Sequence, residues 1–366
     1  MMTRALAAAW LLLGAASAVM AADATVSPGR PAGEPAPSAP AVVADLSSEP
    51  ARLATHALLL SIASAGPRLI AVGDRGIVLA SADHGRTWSQ SQTPTQSLLT
   101  GVCFFDADHG VAVGHDEVAL TTADGGGTWK KTHYAPQAQQ PLLAVWCDHG
   151  PPEGGAGTAA TRAIATGAYG TYFVSNDRGA SWDEKKMQAV AATVPAVEKS
   201  KQASPDADAT DDGTGGGFHL NAIAGAPGGP LYITAEAGHL YRSNNRGDSW
   251  AELPSPYTGS FFGVVALDEG VVLAFGLRGN LFRSQDAGLT WTRINTRSEA
   301  MLDGGATADG TIRLVGLSGV MLLSHDRGVS FTLTQRDDRK GLAAIAIDDG
   351  TLITVGEAGV VAEPTQ

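Results

Sequence analysis

Three groups of side chains have the types and spacing to do chemistry. His115, Asp116 and Glu117 follow one another, with His133 further on, and histidine and carboxylate side chains are what a divalent metal takes as ligands. Adjacent residues on a tight turn point in different directions, however, so a solvated turn is the better reading, and neither a metal nor another cofactor is expected. Tyr169 and Glu236 are the residue types of a nucleophile and its partner in glycoside hydrolysis, a reaction that also needs an acidic general acid–base. A carboxylated sugar would further need an arginine clamp, and Arg52, Arg68 and Arg75 alone stand in the N-terminal part of the folded chain. No catalytic residues are assigned. The run Asp206, Asp208, Asp211, Asp212 lacks the order and the distal Glu of a calcium loop and reads as disordered, within a polar stretch from Gln188 to Gly217. The chain holds neither a Gly-x-x-x-x-Gly-Lys phosphate loop nor a Gly-x-Ser-x-Gly elbow.

Any such site must be carried by a framework, and composition bounds it. The 366 residues are 44% apolar and 17% charged, with 45 Gly and 19 Pro, too apolar for a disordered chain and too punctuated for a helical bundle. A net charge of -12 argues against nucleic acid as a partner. Two cysteines exclude a disulfide scaffold and a four-cysteine zinc site. Residues 1–22 have the form of a cleaved export signal. Arg4 precedes the short apolar run Ala5–Leu13, and small residues follow at Ala16, Ala18, Ala21 and Ala22. Residues 23–41, with prolines at 28, 31, 35, 37 and 40, form a Pro/Ala-rich linker. The mature protein is therefore expected in the periplasm or a lumen-like compartment, soluble and not inserted in a membrane.

Internal repetition sets the architecture. Six segments share the pattern Ser/Thr-x-Asp/Asn-x-Gly-x-Ser/Thr-aromatic: Ser81–Trp88, Thr122–Trp129, Ser175–Trp182, Ser243–Trp250, Ser284–Trp291 and Ser324–Phe331. Their polar keys are Asp83, Asp124, Asp177, Asn245, Asp286 and Asp326, and they start 41, 53, 68, 41 and 40 residues apart. The two long spacings imply insertions near 148–158 and 188–217. A Gly-x-x-Gly turn precedes each box and recurs once more after the last, at Gly356–Gly359; the copies at Gly114–Glu117 and Ala235–Gly238 are degenerate. Each unit reads as four short strands, with the box as the turn between strands three and four and its aromatic ring as a wedge between sheets. Four-stranded units of about 40 residues make a β-propeller. Ser61, Gly101, Val145, Ala222, Gly263, Gly304 and Ala344 align on the innermost strands, where a converging ring needs small residues.

Seven Gly-x-x-Gly turns and six boxes leave the last unit, Lys340–Glu363, with three strands. Its missing outer strand is expected from Val42–His56, which would close a seven-bladed, all-β propeller over 42–366 as a monomer. Cys103 and Cys147 align at one position of adjacent inner strands. Neighbouring blades are related by rotation, so one sulfur would point toward the next blade and the other away, and two buried free thiols are expected rather than a disulfide.

The boxes match the Asp-box (bacterial neuraminidase) repeat, and Val72–Trp88, VGDRGIVLASADHGRTW, resembles the repeat of the photosystem II assembly and stability factor family. The resemblance implies an exported, non-enzymatic seven-bladed propeller that holds a newly made reaction-centre subunit, or, outside photosynthetic cells, some other membrane protein complex or assembly intermediate. It also places the box turns opposite the binding face, which leaves the Gly-x-x-Gly turns and the loops leaving strand four for recognition. Arg75, His115, Tyr169 and Glu236 are candidate partner contacts there, along with Asp74, Asp116, Glu117, Leu277, Leu317, Ser318 and Glu357. The basic patch implied by the family would draw on Arg75, Arg278, Arg297, Arg339 and Lys340. A sialidase-like hydrolase or a lectin is the alternative, although the Phe/Tyr-Arg-Ile-Pro segment of sialidases is missing.

Overall fold

Seven sheets follow one another along the chain, each an antiparallel meander outward from an inner strand, with one parallel strand added outside the fourth. The computed structural model describes residues 46–149, 160–192, 217–225 and 228–364. Residues 1–22 and 23–41, expected to be an export signal and a linker, and most of both expected insertions lie outside these residues. The seven inner strands are Leu59–Ala65, Leu99–Phe104, Leu142–Cys147, Leu220–Gly225, Phe261–Ala266, Leu302–Ala308 and Leu342–Asp348. Among the described residues the first six blades have four consecutive strands and the seventh has three. The protein is a seven-bladed all-β propeller.

The aromatic of each box packs on the preceding blade. Trp129 sits with Ile70 and Val78 of blade one, Trp250 with Ile164 of blade three, and Phe331 with Leu273 of blade five. Trp88 packs with Leu69, Ile353 and Val360, joining blade one to blade seven. The box itself is one hydrogen-bonded unit. Asp83 Oδ1 accepts from the Thr87 amide at 2.8 Å and Oδ2 from its hydroxyl at 2.6 Å, while Ser81 Oγ accepts from the Gly85 amide at 3.0 Å. Asp177 and Ser181 repeat the same bonds at 2.9 and 2.6 Å. Two successive residues take the left-handed conformation, as at His84 (φ 60) and Gly85 (φ 79), which is why the second is glycine in all six copies.

Three expectations need correction. First, among the described residues no shared strand closes the ring: 46–56 add none to blade seven and form only a 3-10 turn, Ala54–His56, and 42–45 of the expected strand lie outside the described residues. Ser48 and Glu49 instead bond to Thr93 and Gln90 beside the outer strand of blade one. Ala54 packs with Leu59 and Val355, so the segment wedges the first and last blades together by side-chain burial. Second, Cys103 and Cys147 form a disulfide, with Cα atoms 5.6 Å apart. Every inner strand carries a bulge after its first residue, and in blade three it puts Ala144, not Val145, opposite the position of Gly101. Cys147 is thereby one residue out of step with Cys103, and one residue along a strand reverses the face a side chain takes. The two sulfurs point at each other. Third, the polar stretch from Gln188 is not wholly irregular, because Ala189–Ala191 pairs in parallel with Trp250–Glu252 as a fifth strand outside blade four.

With Ala144 in register, all seven inner-ring residues are Ser, Gly or Ala. A Cβ on Gly304 would lie 2.5 Å from the Ala343 carbonyl oxygen, so strands converge there as closely as backbone permits.

Candidate functional site

Each blade holds its Gly-x-x-Gly turn by the same bond. The first residue inside the turn donates its amide to the carbonyl just before the inner strand: Asp74 to Leu58 at 2.9 Å, His115 to Leu98 at 2.9 Å, Glu236 to His219 at 3.1 Å and Glu357 to Gly341 at 3.0 Å. Box turns make their cross-blade bonds at the opposite rim, as in Arg68 Nη1 donating to the Asp124 carbonyl at 3.0 Å and Arg162 pairing with Asp248 at 2.7 Å. The Gly-x-x-Gly turns and the exit loops of strand four thus share one face. At its tips Arg75, Asp116, Tyr169, Arg278 and Ser318 have φ between 51 and 60, a left-handed backbone that lifts each residue clear of the hairpin.

Sequence-predicted residues fall into separate groups on this face. Arg278 and Arg297 line one cleft of about 860 Å³, with Arg293 and Glu299 beside them. Arg339 and Lys340 stand exposed in the exit loop of blade six. Arg75 is on blade one, 83% exposed and 3.8 Å from the Asp74 carboxylate. Of the five basic candidates, two share a cleft, two share a loop and Arg75 belongs to blade one.

Tyr169 and Glu236 belong to adjacent blades and meet through His219, a residue the sequence did not mark. The Tyr169 ring stands edge-on to His219, centroids 4.8 Å apart. His219 Nδ1 lies 3.4 Å from Glu236 Oε1, while its backbone amide donates to Oε2 at 3.0 Å. Burial holds the His219 imidazole below its usual range, against the opposing pull of Glu236. Behind it, Phe218 lies on His239, whose Nδ1 is 2.7 Å from Glu252. This is an amphipathic, aromatic surface, and neither Tyr169 nor Glu236 lines the arginine cleft.

The His115–Glu117 turn does not converge on one point. Glu117, buried and at φ 51 where the six other blades have glycine, sits 3.2 Å from His133 Nε2, whereas Asp116 accepts from the Ser97 hydroxyl at 2.7 Å. Burial lowers the pKa of His115. Among the described residues no three His, Cys, Asp or Glu side chains gather as a metal-holding group.

Asp303 was also missed. It occupies the inner-strand bulge of blade six, where Thr100 and Asn221 in other blades each donate to the next inner strand, at 2.8 Å to the Leu142 and Phe261 carbonyls. Burial pushes its carboxyl up to about 7, which keeps a donor proton on it well above the usual carboxylate range. Arg293 and His219 have no repeat signature; only their places beside a box strand and an inner strand could have flagged them.

The family model for the photosynthesis system II assembly factor YCF48 matches residues 80–143. No curated protein matches the chain. Among solved structures, YCF48 bound to D1 peptide superposes with a TM-score of 0.61 at 15% identity, over 85% of this chain and 94% of that one. YCF48 from Cyanidioschyzon merolae gives 0.60 at 15% identity, over 85% and 96%. The WD40 β-propeller domain of Doa1 gives 0.57 at 10% identity, over 84% and 92%. The chain is thus similar to YCF48 in fold over 85% of its length, and it matches that family's model in sequence from the box of blade one through blade two, residues 80–143.

Proposed function

We propose that this protein is an exported, non-enzymatic scaffold whose Gly-x-x-Gly face holds an extended, acidic segment of a membrane protein complex or its assembly intermediate. The observation that carries the reading is the gathering of Arg278, Arg293 and Arg297 in one cleft of that face. Guanidinium groups bind carboxylates through paired N–H donors and keep their charge at any physiological pH. The acidic mature chain limits that attraction to this local cleft. The likeness to a YCF48 that binds a D1 peptide supports a peptide segment as the ligand class. The export signal form of residues 1–22 supports an envelope compartment. The aromatic surface of Tyr169, Phe218 and His239 gives the same partner an apolar footing beside the charged one.

Crosslinking and affinity purification from membranes test this. An Arg278→Glu/Arg297→Glu protein is expected to lose its partner at least tenfold, and Arg75→Glu to retain it. Equal recovery by wild type and double variant would remove the cleft from the account.

A further inference from the structure

The junction between blades six and seven differs from the other six. Everywhere else, the box and fourth strand of the next blade cover the face of the blade before it. Among the described residues blade seven has neither, and a cleft of about 600 Å³ opens between its edge strand, Gly359–Pro364, and the outer face of blade six. Two positions record the missing cover. The residue just before each Gly-x-x-Gly turn pairs with Val78, Ala119, Tyr172, Leu240 and Leu281 in blades one to five, all buried to 3% exposure or less. In blade six that partner is Met321, which is half-buried. Two residues earlier on the second strand, blades one to five bury Ile70, Val111, Ile164, Tyr232 and Leu273, and blade six has the half-buried Arg313.

The other blades show what fits such a place. It is an extended strand, antiparallel to strand three, with an indole or phenyl ring pressed onto the preceding blade. Blade four shows further that an outer edge of this protein accepts an added strand, in Ala189–Ala191. Leu323, Ile345 and Leu352 give the cleft an apolar floor, flexible Met321 suits varied ring shapes, and the Arg313 guanidinium offers a flat cation to an aromatic face. We infer that this cleft is a second docking site, which takes an extended segment of a partner protein carrying an aromatic side chain and adds it as the fourth strand of blade seven. It lies on the outer wall and does not depend on the Gly-x-x-Gly face.

The test uses the mature protein and a fluorescein-labelled peptide copying Ser284–Asn295, the box and fourth strand of blade five. Saturable binding is expected, weakened about tenfold or more by Trp291→Ala in the peptide or by Met321→Glu in the protein. Should Met321→Glu fail to fold, hydrogen exchange on the wild type decides, with slowing expected at residues 359–364 when peptide is added. No saturable binding, or protection confined to the Gly-x-x-Gly face, overturns the inference. So does a dimer that protects residues 359–364 without peptide, because the occupant is then a second copy of the chain.

Discussion

One rim of the wheel carries six turns of nearly one sequence, and the other carries seven turns that share little beyond glycine. The first rim spends its side chains inward. Asp83 and its counterparts bond to their own turn, and their neighbouring aromatics fill the gaps between blades. The second rim is anchored in every blade by the same amide-to-carbonyl bond, with side-chain bonds added in some turns, as where Glu236 and Glu357 accept from the His219 and Gly341 amides, so the residue at the tip is not dictated by the turn. A turn fixed by its backbone can present an arginine, a tyrosine or a serine at the same φ. That freedom is what recognition requires, and its absence at the boxes marks them as fasteners.

If the boxes are fasteners, damage there must show as instability whatever happens to binding. Trp129→Ala removes a buried indole from the junction of blades one and two and should cost about 4 kcal/mol, read as a lower midpoint in urea. A loss under 1 kcal/mol would break the comparison.

Asp303 sharpens it from the inner ring. A carboxyl whose folded pKa is raised destabilises the fold as pH climbs from its unfolded value, near 3.8, through about 7. Asp303→Asn keeps a donor without the charge, so it should stabilise by about 2 kcal/mol at pH 8, allowing for partial exposure to water, and by little at pH 4. Equal effects at both pH values would show that the carboxyl is not held protonated.

Asp177→Ala, which leaves the Ser181 amide and hydroxyl without their acceptor, should cost about 1 kcal/mol. Box aspartates have lowered pKa values, and the Thr87 hydroxyl and amide hold Asp83 down to about 2. Their stabilisation is complete above about pH 4 and fades as pH falls below it, so acid titration of Asp177→Ala should show a smaller loss than wild type there. The smallest effect belongs to the other rim. Arg278→Glu/Arg297→Glu should shift stability by no more than about 0.5 kcal/mol, since both side chains are exposed.

The repeat made most of this fold legible, because a box is a local structure and its hydrogen bonds close within five residues, as from Asp83 to Thr87. Four consecutive strands, the wedge aromatics and the small inner residues followed from it. What escaped depends on register and on distant packing. The bulge that sets Ala144 opposite the Gly101 position leaves no mark in Leu142–Leu143–Ala144, and the disulfide turns on that single step. Closure by Ala54 rather than by a strand depends on a pocket made by Leu59 and Val355, nearly 300 residues apart. Of the candidate site, the turn tips were readable from their glycines, and Arg278 and Arg297 do share a cleft. His219, Arg293 and Asp303 were not, since each acquires its role from a neighbouring blade or strand that the sequence does not place beside it.

The most direct test replaces one residue on each rim, Ser318 on the variable one and Val329 on the box one, with a photo-crosslinking amino acid in otherwise intact protein. Both positions are exposed, so labelling compares the two faces alone. The account predicts that light traps the membrane partner from position 318 and not from position 329. Equal adducts from both, or adducts from 329 alone, would contradict it.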